Sequence, residues 1–243
     1  TTHQVVVKSL PDVIRQASST ICHGSTSPAI SLTGSMSGSV FQWTNDNPSI
    51  GLSASGTGNI PSFIANNTSG VPVTANITVT PVANGCVGNA SSFSITVNPL
   101  PFISLPDNQM LCNREASQPV VFNSFSGNVT YNWTNTMPSI GLSSNGTGNI
   151  PSFNAVNNSD TVQVATVSIT ATDNGCSAAP VTFNITVKPS PVVVLNDITV
   201  CQGSTVPGLM PASNLAGTQF SWTNSQVAIG LAASGIGQIP SFT

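Results

Sequence analysis

Charge is what this chain most lacks. Only 5% of its 243 residues are Asp, Glu, Lys or Arg, against about 25% in an ordinary soluble domain. The four basic residues, Lys8, Arg15, Arg114 and Lys188, cannot build the positive surface that a phosphate backbone requires, so nucleic-acid binding is excluded. Catalytic groups are equally thin. The two histidines stand at unrelated places, and Asp12, Asp46, Asp107, Glu115, Asp160, Asp173 and Asp197 are scattered without a period. A general acid–base pair or a triad needs titratable groups that converge, and none does, so the reading is a non-enzymatic chain with no cofactor. Aromatic residues make up 6% and form no cluster that would serve as a sugar-stacking platform. Apolar runs such as Val192 to Leu195 fall far short of the ~20 residues that span a bilayer, and no membrane span is expected. The first eleven residues have neither the basic start nor the apolar core of a secretion signal.

What the chain has instead is neutral polarity: more than a third of it is Ser, Thr or Asn, beside a normal 39% of hydrophobic residues. That combination can fill packed cores and coat them with hydroxyls and amides. Self-similarity sets the architecture. The segment FQWTNDNPSIGLSASGTGNIPSF (Phe41 to Phe63) returns as YNWTNTMPSIGLSSNGTGNIPSF (Tyr131 to Phe153) and as FSWTNSQVAIGLAASGIGQIPSF (Phe220 to Phe242). Trp43, Trp133 and Trp222 recur at nearly equal intervals, Cys22, Cys112 and Cys201 recur at the same intervals, and Cys86 returns as Cys176. The proline segments KSLP, NPLP and KPSP, ending at Pro11, Pro101 and Pro191, mark the boundaries. The expected organisation is 1–10, the last strand of a preceding repeat; 11–100 and 101–190, two complete repeats; and 191–243, the first part of a third. On this reading the sequence is an excerpt from a longer array. Completing its tail with the head of another copy would still leave a gap, because Thr243 aligns with Ile64 and Thr1 with Ser91. The stretch between those two positions, which holds a strand and the second cysteine, would be missing.

Within a repeat the period is two. Val73, Ala75, Ile77 and Val79 alternate with Thr74, Asn76, Thr78 and Thr80, and Val167, Ile169 and Ala171 alternate with polar neighbours in the second copy. Such alternation marks strands buried on one face. Asn84-Gly85 and Asn174-Gly175 accept positive φ and should fold these strands back as hairpins into Ala90 to Val97 and Pro180 to Val187. An all-β unit of about 90 residues with some seven short strands is a β-sandwich of the immunoglobulin or fibronectin type.

Cys22 to Cys86 and Cys112 to Cys176 span the same length of chain, and each repeat holds one cysteine of each kind. Two intradomain disulfides are therefore expected, with Cys201 unpaired within this sequence. Metal ligation is the sharper alternative, but CxxC spacing is absent and His23 is answered by Asn113 and Gln202 in the other copies. Disulfides imply an oxidising compartment. Trp43, Trp133 and Trp222 are read as core plugs, the alternative being a ring exposed to a sugar. The pieces Gly56-Thr57-Gly58, Gly146-Thr147-Gly148 and Gly235-Ile236-Gly237 lack the helix and lysine of a phosphate cradle and are read as turns between strands at Ile50 to Leu52 and Ile60 to Phe63.

The block W-T-N-x(4)-I-G-L-x(3)-G-x-G-x-I-P-S-F, with an ICHGS-like segment upstream, NGC downstream and a closing ITVxPxP, resembles the PKD-like, immunoglobulin-like repeats of very large secreted surface proteins of the Bacteroidota. It is also similar to the repeat region of gliding-motility-type adhesins. The resemblance runs from Pro11 to Thr243 and implies a β-sandwich array, export by the type IX system, a place at the bacterial cell surface, and a role in adhesion or surface locomotion. Asp-(Ser/Thr)-aliphatic triplets are O-glycosylation acceptors in that phylum, which makes Thr161, in Asp160-Thr161-Val162, a candidate acceptor. The function expected is a stalk or filament whose partners are neighbouring repeats of the same chain, with like chains in a bundle or a surface polysaccharide as further partners. The alternative is a carbohydrate-binding module array or the spacer of a polysaccharide-active protein.

Overall fold

The alternating segments become the longest strands. In the computed structural model, which describes residues 2–123 and 128–243, the first repeat contributes β1 (Ser19–Cys22), β2 (Val40–Asn45), β3 (Ser55–Thr57), β4 (Val73–Ala83), β5 (Cys86–Val87) and β6 (Ser91–Asn98). They form one sheet in the order β1-β6-β4-β2-β3, with β5 also on β4. β4 is central, flanked by β6 on one side and β2 on the other. Its residues Ala75, Ile77 and Val79 point inward and are buried, while Thr74 and Asn76 face solvent. The second repeat follows the same plan with β7 (Gln109–Cys112), β8 (Thr130–Asn135), β9 (Asn145–Thr147), β10 (Gln163–Asp173), β11 (Cys176–Ser177) and β12 (Val181–Lys188), in the order β7-β12-β10-β8-β9. Register is preserved: Trp43 faces Val79 and Gly56, and Trp133 faces Ile169 and Gly146.

The hairpins form where the Asn-Gly pairs stand. Asn84 and Gly85 have φ of 52° and 78°, and Asn174 and Gly175 have 47° and 80°, the paired left-handed conformation of a two-residue hairpin turn. The returning strand is broken in two. Pairing runs Val82↔Val87 and then Val79↔Ser91, a one-residue register slip between β5 and β6 that is the mark of a β-bulge.

The opposite layer is less regular than the alternation suggests. Ile30 and Ile60 exchange backbone hydrogen bonds of 2.9 and 3.0 Å, and Thr26 bridges Ile64, but neither segment is a continuous strand. The expected strand at Ile50 to Leu52 is instead a 3₁₀ turn over Pro48–Ile50, closed by Gly51 at φ 99°. A Cβ there would also overlap the Ile64 carbonyl, so only glycine fits. The turn drops Ile50 and Leu52 into the core beside Leu32, Ile60 and Ala65, packed onto Trp43, Ala75, Ile77, Phe93, Ile95 and Val97 of the sheet.

The third unit holds β13 (Val193–Val194), paired with β14 (Ala212–Ser213), and β15 (Ser221–Thr223), paired with β16 (Ser234–Ile236). It has the same 3₁₀ turn at Val227–Ile229 and the same bridge between Leu209 and Ile239. No long strand covers these residues. A cleft of about 820 Å³ opens between Ile198, Val206, Leu209, Ile229 and Phe242. Residues 2–18 form no strand, and Val5 and Val7 are exposed, since alternation without a neighbouring strand gives no ladder.

Candidate functional site: the junction between repeats

The cysteines are placed by the sheet. β1 runs parallel to β6, with Cys22 opposite Asn98, so Cys22 lies at the end where the chain leaves the first repeat. Cys86 pairs with Ala83, at the other end of β4. Between those levels runs the whole of β4, from Val73 to Ala83, roughly 33 Å of extended strand. A disulfide needs Cα atoms about 4.4–6.8 Å apart. The two cysteines of one repeat therefore cannot meet.

The structure joins Cys22 to Cys176, with a Cα–Cα distance of 5.6 Å and a sequence separation of 154 residues. The expected pairs Cys22–Cys86 and Cys112–Cys176 are not formed, and Cys86, Cys112 and Cys201 are free thiols. The bridge leaves the exit end of the first sandwich and enters the hairpin end of the second. Beside it the Asn98 side-chain amide donates to the carbonyl of Asn174, at 3.2 Å. Lys8, which holds the repeat position of Asn98 in the KSLP segment, donates its ammonium to the carbonyl of Asn84, the counterpart of Asn174, at 2.9 Å. One contact thus occurs at two successive hairpins. Closing a 154-residue loop restricts the unfolded chain by about 5 kcal/mol in the chain-entropy treatment.

His23 follows Cys22 and accepts a 2.9 Å hydrogen bond at Nδ1 from the backbone N–H of Asn67. In the second repeat Asn113 accepts the same bond at Oδ1 from Asn157, also at 2.9 Å. The two side chains present an acceptor at one place, which explains why a histidine alternates with an asparagine. Asn67 and Asn157 are themselves buried. The Asn67 amide donates to the carbonyls of Val71 and Val97, and that of Asn157 to those of Thr161 and Val187. They tie the loop before the long strand to the last strand, next to the junction.

The tryptophans Trp43 and Trp133 lie in the two cores and Trp222 is half-buried. Each indole lies against the first glycine of its GxG piece, so that a Cβ on Gly56, Gly146 or Gly235 would overlap the ring. These glycines sit in strands β3, β9 and β16; the turn belongs to Gly58, Gly148 and Gly237, at φ 77°, 69° and 74°. The Nε1 atoms of all three indoles are buried without a hydrogen-bond partner.

A feature the sequence reading missed is the asparagine of the W-T-N motif. Asn45 donates to the carbonyls of Leu52 and Ser53 at 2.9 and 3.3 Å and accepts from the Asn47 N–H at 3.0 Å. Asn135 repeats all three bonds, and Asn224 binds the carbonyl of Leu231 and the N–H of Gln226. Its recurrence next to each tryptophan was the available signal. The carboxyl of Asp46 is held below its ordinary value of 3.8 by hydrogen bonds from the side chain and then the backbone N–H of Asn76. Asp12 is lowered in the same way by Ser35. Both carboxylates serve as loop braces. Thr161 is exposed in the loop before β10, its hydroxyl 3.3 Å from the Gln163 amide, and the neighbouring Asp160 accepts from Asn214 of the third unit. Among the described residues, no three His, Cys, Asp or Glu side chains gather to hold a metal, and no helix is long and apolar enough to cross a membrane.

The PKD-like domain family matches residues 19–101, the span from β1 to just beyond β6. No curated protein matches the chain. Among solved structures, a titin segment of three immunoglobulin domains in a Glu-to-Ala variant is similar at a TM-score of 0.53 and 12% identity, covering 97% of this chain and 89% of its own. The IG1 and IG2 domains of DIP-gamma give 0.42 and 9%, with coverages of 74% and 98%, and EC22–24 of mouse cadherin-23 give 0.40 and 11%, with coverages of 97% and 90%. The likeness to the titin segment is one of fold. The chain is all-β, its repeats share an immunoglobulin-like sandwich fold, and the first of them, over residues 19–101, matches the PKD-like family.

Proposed function

We propose that this chain is a structural stalk segment of a secreted bacterial surface adhesin, whose work is to hold a contact surface away from the cell. The observation that carries this reading is the Cys22–Cys176 bridge. A disulfide spent across a junction, rather than inside a sandwich, resists hinge motion between neighbours, which a catalytic or ligand-binding unit does not require. Such a bond also suits an oxidising, extracellular setting. The surface of neutral hydroxyls and amides suits a rod that must not adhere along its length through charge. Adhesion and surface locomotion are the roles that the motif resemblance adds, and the boundaries 1–10, 11–100, 101–190 and 191–243 are the corresponding units.

Small-angle scattering tests the rod. Two and a half units of about 35–40 Å each, laid end to end, give a radius of gyration of about 28 Å, whereas a globule of this length has about 18 Å. A value near the globular one for the oxidised chain overturns the proposal. Reduction should broaden the distance distribution by loosening the junction.

A further inference from the structure

We propose that Cys86, Cys112 and Cys201 are half-junctions, each complementary to a cysteine of an adjoining sandwich, so that every junction of an array of these repeats is crossed by one disulfide and successive covalent loops overlap. The inference rests on the reading of the chain as an array, but concerns connectivity rather than shape.

Cys112 repeats the setting of Cys22. It ends β7 opposite Lys188 as Cys22 ends β1 opposite Asn98, and the next backbone N–H, from Asn113 or His23, donates to the carbonyl of Lys188 or Asn98 at 2.9 or 2.8 Å. Both lie at the exit end of their sandwich. Cys86 repeats the setting of Cys176, opposite the last residue of the long strand and directly after the Asn-Gly turn. The difference between these two is burial. Cys176, engaged across the junction, is 1% exposed, whereas Cys86 is partly open. Lys8 already occupies the carbonyl of Asn84 as Asn98 occupies that of Asn174, so the first hairpin has the polar half of a junction in place and lacks only the sulfur. Cys201 holds the exit position in the third unit's sequence. The strand length that separates Cys22 from Cys86 also separates Cys112 from Cys176, so neither Cys86 nor Cys112 has a partner within its own sandwich.

The rule is therefore exit cysteine to the hairpin cysteine one repeat onward, about 154 residues away. Since the repeat is shorter than the loop, consecutive loops interleave, and no sandwich between two staples lies outside a covalent ring. Forming each bond removes two protons and two electrons from two thiols, and a small disulfide oxidant such as oxidised glutathione takes up the electrons to become two thiols.

The test extends the chain. Thr243 aligns with Asn154, so a copy of residues 155–190 placed directly after it completes the third sandwich and adds a second copy of the hairpin cysteine Cys176. The extended chain is refolded in a glutathione redox buffer, its free thiols are alkylated, and its linked peptides are mapped by mass spectrometry. The expected result is the added cysteine joined to Cys112, with Cys22–Cys176 retained and Cys86 and Cys201 alkylated. Cys112→Ser should leave the added cysteine alkylated. A bond between the added cysteine and Cys201, or none to Cys112 while Cys22–Cys176 is intact, overturns the proposal. Should the extension not fold, Cys176→Ser in the 243-residue chain still decides it. Cys22 must then be alkylated, and its capture by Cys86 would refute the exit-to-hairpin rule.

Discussion

At the scale of single residues, the recurring motif is a set of positions where a neighbour dictates the side chain. Gly146 must lack a Cβ because the Trp133 indole fills that space, and the ring is fixed in the core by β8 and β10. Gly146→Ala is expected to destabilise the second repeat by about 1–3 kcal/mol, the usual effect of overpacking a core. Gly235→Ala makes the same overlap with Trp222, but that ring is only half-buried and can swing outward, so its effect should be under about 1 kcal/mol. Hydrogen exchange of the backbone around each tryptophan measures both; equal losses would show that the ring is not what selects glycine. The sequence makes the tryptophan positions legible as core, but not the partner glycine, because strand pairing, not chain proximity, sets Trp133 beside Gly146. The exchange of His23 for Asn113 is opaque for a related reason. Each offers an acceptor to a backbone N–H far along the chain, that of Asn67 or Asn157, and no local pattern announces that.

At the scale of elements, the long strands and hairpins are written in the alternation and in the Asn-Gly pairs, and they form where expected. The second layer is not, because its core residues come from a 3₁₀ turn and from single bridges, which have no period to detect. Identical motif residues therefore differ in worth according to what covers them. Ile140 is fully buried under β10, whereas Ile229, at the same motif position, is 48% exposed in the third unit. Ile140→Ala should cost about 2–5 kcal/mol, as deletions in closed cores do, and Ile229→Ala about 1 kcal/mol or less. Denaturant unfolding followed by the tryptophan fluorescence of the second and third units distinguishes them. A large effect of Ile229→Ala would mean that the third unit has a closed core in solution.

At the scale of the whole molecule, the pairing of the cysteines turns a periodic sequence into a mechanical object. Equal cysteine spacing within each repeat points to intradomain bonds; only the length of β4 shows that this pairing is forbidden and that the partner one repeat onward faces the same gap. A spacing rule knows distances along the chain, whereas a disulfide obeys distances across it. The consequence is read by pulling. Tension applied between residues near the two ends reaches Cys22, crosses the sulfur bridge to Cys176 and bypasses everything between them, so unfolding of the stretch they enclose cannot lengthen the oxidised chain. Reduction frees 154 residues, each adding about 3.3–3.6 Å when extended, or roughly 500–550 Å in all. Force spectroscopy with and without a reductant should show that difference in total contour length. A bond within each sandwich would instead hide two shorter loops, Cys22 to Cys86 and Cys112 to Cys176, of roughly 200–230 Å apiece. Observing that pattern in place of the single large increment would mean that the staple lies inside the domains and that the junction is held by side-chain contacts alone.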